Sequence, residues 1–348
     1  MLIPAIMLAI GFVLLIKGGD WFVDGASGIA RRFHLPEILI GATVVSIGTT
    51  LPEVMVSAGA AMQGSGSIAY GNAIGSIICN TSLIAALTIA IKPGPAARKS
   101  MTLPVTFFFG AAAIYCFGAY VLGTFSRAMG IVLLTTFVIY MLSTVLRMKK
   151  TAVGIETVQL EEQVGAITSE AELEAMSGED HTVESALEGT KDSLLKDIVM
   201  LVLGAVLIAI GADFLVDNAI IIAESLGVSE KVIGLTIVAL GTSLPELVTA
   251  ITSLIKGHGS LSLGNIIGAN LFNLVLVSGA AIAINPFDVP VAGTIAGINS
   301  SLVLDIPVML AVMSIMIIPT MIKEKLSRWQ GILLLAIYTA FLVVSFIL

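Results

Sequence analysis

Apolar residues run along this chain in long stretches, each near the length of a membrane crossing, with short polar or charged clusters between them. A membrane-spanning helix needs about 20 mostly apolar residues. Ten segments meet or approach that length: 2–27, 36–63, 67–91, 101–122, 127–147, 194–224, 229–256, 261–284, 299–322 and 328–348. The pattern predicts an all-α polytopic membrane protein with ten transmembrane helices. The one long polar stretch lies between Arg147 and Lys196 and is rich in Glu, Ser and Thr. It has too few apolar residues to bury a core of its own. It divides the chain into a first five-helix unit, 1–147, a linker, 148–193, and a second five-helix unit, 194–348.

Composition strengthens the membrane reading. The 348 residues are 57% hydrophobic and only 12% charged, with a mean hydropathy of +1.04, whereas soluble chains carry roughly 25% charged residues. Lys and Arg favour cytoplasmic loops. With the N-terminus placed outside, fourteen basic residues fall inside, against Arg127 and Lys231 outside. Both termini are therefore expected to be extracytoplasmic and the linker cytoplasmic, in a plasma (inner) membrane. Ten of the 24 acidic residues lie between Thr151 and Thr190, so the net charge of -7 belongs mainly to that linker. The linker has no EF-hand spacing and reads as a solvated segment. Met1 to Ile16 has no basic stretch and no small-residue cleavage site before Lys17, so it reads as the first membrane helix rather than a signal peptide. Cys79 and Cys116 sit in apolar runs without metal-ligand spacing and read as packing residues. No basic patch with interleaved aromatics points to nucleic acid; the expected partners are the lipid bilayer and inorganic cations.

An internal repeat carries most of the functional information. IGATVVSIGTTLPE, from Ile40 to Glu53, aligns with IGLTIVALGTSLPE, from Ile233 to Glu246, at an offset of 193. The same offset aligns GNAIGSIICN (Gly71 to Asn80) with GNIIGANLFN (Gly264 to Asn273), and Asp20 and Asp24 with Asp213 and Asp217. Five helices per copy is an odd number, so the second copy enters the membrane from the opposite side. The expected architecture is two inverted repeats, which place a substrate near the midplane between discontinuous helices.

Proline 52 and proline 245 each remove a backbone donor and clash with the carbonyl four residues earlier, at Gly48 or Gly241. A helix break is therefore expected at each. Freed carbonyls in hydrocarbon need a partner, and the preceding half-helix ends on its negative dipole. A cation satisfies both. Glu53 and Glu246 stand one residue beyond the breaks, near mid-segment, where an ionisable group costs at least ~2.5 kcal/mol and marks an ion or proton path. Two carboxylates match one divalent ion, and the oxygen donors suit Ca2+ or Na+ better than a soft metal. Ser76 and Asn80, like Ala269 and Asn273, are spaced i, i+4 and share a face; the two asparagines read as ion ligands. Gly71, Gly75, Gly264 and Gly268 form GxxxG spacings that let helices approach closely. Asp20 lies about 27 Å from the start of its helix, near the inner interface, so the four repeated aspartates read as capping or gating groups. Thr43 and Thr236 are expected to bond to carbonyls of their own helices.

The paired G-T-[ST]-L-P-E and G-N-x-x-G blocks resemble the alpha repeats of the sodium/calcium exchanger family, within the calcium:cation antiporter superfamily. The resemblance implies a central Ca2+ site held by Glu53 and Glu246 with oxygens of Thr49 and Thr242. It implies flanking Na+ sites that add Thr50, Ser243, Ser76, Asn80, Asn273 and backbone carbonyls near Ser46 and Ala239, with alternating access by movement of the first and sixth helices. Two positions depart from the family pattern: Ala269 and Asn273 stand where exchangers often have Ser and Asp. The first change removes an oxygen ligand, and the second leaves two carboxylates in the core. Proton-coupled members of the superfamily carry a glutamate where this chain has Gly75 and Gly268.

The expected function is antiport of Ca2+ for Na+, with H+ or K+ coupling as the alternative. No cofactor and no catalysis are expected. A cation channel ranks below antiport because each half carries one break in an inverted repeat. An intramembrane aspartyl protease is disfavoured because Lys17 occupies the first glycine position of the G-x-G-D element.

Overall fold

The computed structural model describes residues 2–33, 35–170, 184–226, 239–291 and 293–347. Ten helices dominate it. They are α1 (Leu2–Arg32), α2 (Glu37–Met62), α3 (Gly66–Ile91), α4 (Arg98–Leu122), α5 (Arg127–Glu170), α6 (Glu184–Ser225), α7 (Leu244–Ile255), α8 (Gly259–Ile284), α9 (Ser301–Lys323) and α10 (Arg328–Ile347). Among the described residues, nine are long and apolar enough to cross a membrane; α7 is shorter. The segment expected over 229–256 is described only from Ala239, as a turn of helix, Ala239–Thr242, followed by α7. Its earlier part, with Lys231 and Thr236, lies outside the described residues. Helix α5 continues well past the apolar segment, to Glu170, and α6 begins at Glu184. The linker expected over 148–193 is thus helical in part.

Two-residue strands tie the connections at one end. β1 (Thr124–Phe125) pairs antiparallel with β2 (Phe287–Asp288), and β3 (Thr294–Ile295) pairs with β4 (Ile298–Asn299). Tyr70, Tyr115, Phe125 and Phe287 pack their rings together there.

Burial sorts the helices into layers. In α8, 83% of the apolar stretch is buried, with 72% in α3 and 61% in α2, against 22% in α1 and 17% in α10. Helices α2, α3 and α8 therefore form the centre, and the apolar outer faces of α1 and α10 have the character of lipid contacts. Close approach depends on small residues. A Cβ at Gly264 would strike the backbone of Ile38, and one at Gly268 would strike Ala42 and Ser46, which bears out the packing role of this GxxxG pair. At Gly71 and Gly75 an added Cβ would meet nothing within 4 Å among the described residues.

Helix α1 lies along α6. Gly11 meets Gly211, Gly18 meets Gly204 and Ile208, and Gly25 meets Asp197 and Leu201. One number rises as the other falls, so the helices are antiparallel. The offset of 193 maps Gly11 onto Gly204 and Gly18 onto Gly211, so the first two contacts exchange with one another when the two copies are interchanged.

Candidate cation site

The two repeated blocks meet at the centre of the bundle. Glu53 on α2 and Glu246 on α7 are both fully buried and lie close enough to act on each other electrostatically. None of their four carboxyl oxygens has a hydrogen-bond partner among the described residues. Thr49 adds a hydroxyl near Glu246, without a bond of normal geometry. Thr50 and Ser243 are buried, and their hydroxyls have no hydrogen-bond partner of normal geometry among the described residues. Thr242 begins the approach to α7 and is partly buried.

The backbone differs between the copies, and it differs from the expectation. Helix α2 runs unbroken through Pro52 from Ser46 to Met62. Its irregularity lies upstream, where Gly41–Val45 forms a π-helical turn. Pro52 has no N–H to give the Gly48 carbonyl, yet the helix continues past it. In the second copy the helix does break, at Ser243, and Pro245 falls in the first turn of α7. A missing N–H costs nothing there, because that donor would be unpaired in any helix.

Asn80 and Asn273 each open a π-helical turn, Asn80–Ala85 in α3 and Asn273–Val277 in α8. Both are fully buried, and neither amide has a partner among the described residues. The packing is crossed: the Asn80 turn contacts α7, and the Asn273 turn contacts α2. Each asparagine-bearing turn thus comes from one copy and packs on the glutamate-bearing helix of the other. Ser76 is buried one turn before Asn80, and Ala269 one turn before Asn273. The Ser46 hydroxyl sits 2.7 Å from the Gly41 carbonyl and 3.0 Å from that of Asn265. Ala239 is the first described residue of the second-copy turn. Thr43 donates to the Leu39 carbonyl at 2.7 Å, as expected, and takes no part in the site.

Three contributors escaped the sequence reading. Asn72 donates to the Glu53 carbonyl at 3.1 Å and to Ser57 at 2.9 Å. Its repeat mate Asn265 accepts the Thr49 hydroxyl at 3.2 Å. The G-N pair recurring at the repeat offset was the available signal. The third is Cys79, read as packing: its thiol lies near Ser243 and both glutamates, and it accepts the Tyr338 hydroxyl at 3.8 Å. No spacing rule points to a lone cysteine.

Helices α1 and α6 cover the two motif copies. Phe22 of α1 lies over Gly48, and Val216 of α6 lies over Gly241. A crevice of only ≈ 10 Å³ remains between Phe22, Ala205, Ile208 and Ala209 on one side and Gly48, Thr49, Pro52 and Pro245 on the other. Chemically, the centre offers carboxyl, hydroxyl and amide oxygens with unspent acceptor capacity. Leaving such groups buried without partners costs several kcal/mol, and a hard cation with an oxygen-only shell is what they fit. Among the described residues, no three His, Cys, Asp or Glu side chains cluster as a transition-metal site.

Comparisons with known proteins agree with that chemistry. A family model described as sodium/calcium exchanger protein matches residues 3–146 and 196–347. The chain is 31% identical over 359 residues to sodium/calcium exchanger MaX1 of Methanosarcina acetivorans, covering 98% of both chains. It is 32% identical over 295 residues to inner membrane protein YrbG of Escherichia coli, covering 83% of this chain and 82% of that one. A solved structure of the sodium-calcium exchanger NCX_Mj, soaked with 2.5 mM Na+ and 10 mM Sr2+, matches with a TM-score of 0.73 at 31% identity and covers 97% of each chain.

Proposed function

The chain belongs to the sodium/calcium exchanger family, and from that premise we propose that it exchanges Ca2+ for Na+ across a membrane by alternating access. The observation that carries the reading is the pair Glu53 and Glu246, fully buried, mutually close and without hydrogen-bond partners among the described residues. In this reading Ca2+ takes both carboxylates with the oxygens of Thr49 and Thr242. Sodium ions take Thr50, Ser243, Ser76, Asn80, Asn273 and carbonyls near Ser46 and Ala239. The two ions compete for overlapping oxygens. A doubly negative empty site is too costly to carry through hydrocarbon, so only loaded states cross, and transport becomes exchange.

The antiparallel, interchangeable contacts of α1 with α6 support two inverted five-helix units, 1–147 and 194–348. The cover that α1 and α6 give the two motif copies supports their movement as the step that alternates access. The distribution of Lys and Arg supports extracytoplasmic termini and a cytoplasmic linker over 148–193. The resemblance to an inner membrane protein supports a plasma (inner) membrane.

The test is Ca2+ uptake into proteoliposomes under separately imposed Na+, K+ and H+ gradients. An outward Na+ gradient is expected to drive uptake, and Glu53→Gln or Glu246→Gln is expected to lower it at least a hundredfold. Uptake that follows the H+ or K+ gradient instead would replace Na+ as the coupling ion. Normal uptake in either variant, or flux indifferent to all three gradients, would overturn the carboxylate site or favour a channel.

A further inference from the structure

At one end of the bundle, ionisable groups that play no part in the ion site tie three helices together. Lys256, just past α7, places its Nζ 2.8 Å from Asp24 Oδ1 and 3.3 Å from Asp20 Oδ1 on α1, and it donates to the Asp20 carbonyl at 3.0 Å. Two residues on, His258 Nδ1 lies 2.6 Å from Glu37 Oε1 at the start of α2. The Lys256 and His258 side chains are only 23% and 21% exposed, which limits screening by water and salt.

Beneath this clasp, α7 carries a file of hydroxyls. Thr249 and Ser253 follow Glu246 at i+3 and i+7, on its face of the helix. Both are fully buried, with no hydrogen-bond partner among the described residues. Gly19 of α1 lies directly against Val248 and Thr252, one position round the helix from that file. Helix α1 therefore packs on the flank of α7 beside a polar track that leads from Glu246 towards Lys256.

The repeat makes this arrangement one-sided. The α2–α3 turn is Gln63, Gly64, Ser65, and the α7–α8 turn is Lys256, Gly257, His258, at the offset of 193. Their glycines share a left-handed backbone, with φ +78 at Gly64 and φ +84 at Gly257. The acidic groups occur in both copies, because Asp20, Asp24 and Glu37 correspond to Asp213, Asp217 and Glu230. The basic groups occur in one: Gln63 and Ser65 stand where Lys256 and His258 do. The hydroxyl file is likewise single, with Val56 and Ala60 in place of Thr249 and Ser253.

We propose that Lys256 and His258 are positioning residues that hold α1 and α2 against α7 beside the Thr249–Ser253 track, closing the passage from Glu246 to that face and biasing the resting protein towards opening on the opposite one. The significance for sidedness rests on the exchanger reading; the closure itself does not.

The test uses the full chain with Cys79→Ala and Cys116→Ala, carrying Ser253→Cys as the reporter, and follows its modification by a charged, membrane-impermeant thiol reagent. Lys256→Gln combined with His258→Ser is expected to speed modification at least fivefold. Asp20→Asn with Asp24→Asn, which removes the lysine's contacts from the other side, is expected to act in the same direction and serves if the first pair does not fold. Lys256→Arg is expected to keep the slow rate. Modification unchanged in the neutral variants, or raised equally by Lys256→Arg, would overturn the proposal. Exchange measured in the chain with its native cysteines and Ser253 is a separate readout: its absence there would overturn the exchanger reading and leave the thiol rates to decide the clasp.

Discussion

At position 273 a carboxamide stands where a carboxylate of the same shape would fit, and the difference is one unit of charge in a fully buried site. With Asn273 the centre holds two acidic groups, enough to balance one Ca2+. Asn273→Asp would add a third, and in a low-dielectric centre one more charge within a few ångströms is worth several kcal/mol before desolvation. The variant is expected to bind Ca2+ about tenfold more tightly and to show a steeper Na+ dependence of exchange. Equilibrium binding and the Na+ dependence of the initial rate check this; no change in either would mean that the 273 side chain does not face the ions. Asn72 and Asn265 show what residue-scale reading misses. Both were visible as a repeated G-N pair, but their partners, the Glu53 carbonyl for one and Thr49 for the other, sit on a different helix. Nothing local indicates which carbonyl or hydroxyl an asparagine will reach.

Among the elements, the α1–α6 pair is built for contact without bulk. A Cβ on Gly18 would come within 2.8 Å of the Ile208 backbone nitrogen, and one on Gly11 within 2.9 Å of the Gly211 carbonyl oxygen. Backbone cannot yield as a flexible side chain does, so overpacking here costs on the order of 1–3 kcal/mol. Gly18→Val is expected to force α1 from α6 and slow exchange at least tenfold while leaving Ca2+ binding within about threefold, since no ion ligand is touched. Flux and equilibrium binding on the same preparation separate the two effects; equal losses in both would argue that α1 helps to hold the ion site itself. Helix boundaries were largely legible: α3, expected over 67–91, spans Gly66–Ile91, and α8, expected over 261–284, spans Gly259–Ile284. The proline rule was less reliable. Pro52 is absorbed within α2, downstream of a π-helical turn, whereas the break near Pro245 falls at Ser243. The same tripeptide Leu-Pro-Glu therefore sits in two different backbones.

For the whole molecule, each half supplies one glutamate and one asparagine that opens a π-helical turn, and those turns pack across onto the opposite half. Neither half should hold the ion alone. Severing the chain between Glu170 and Glu184 and co-expressing both pieces is expected to restore at least half of the exchange rate, while either piece alone gives none; activity from one piece would mean that the crossed packing is dispensable. The sequence by itself determined the membrane-spanning helical class, the 193-residue repeat, and the two glutamates with their neighbouring hydroxyls, because apolar run length and duplicated motifs are properties of the chain in one dimension. Only the tertiary structure decided which copy keeps its helix through the proline, that Asn72 and Asn265 brace the site, that Cys79 lines its wall, and that Lys256 and His258 reach α1 and α2. Those facts depend on which surfaces meet, and in a bundle whose central helices are buried on most faces the choice of neighbours is settled by packing and polar satisfaction over the whole molecule.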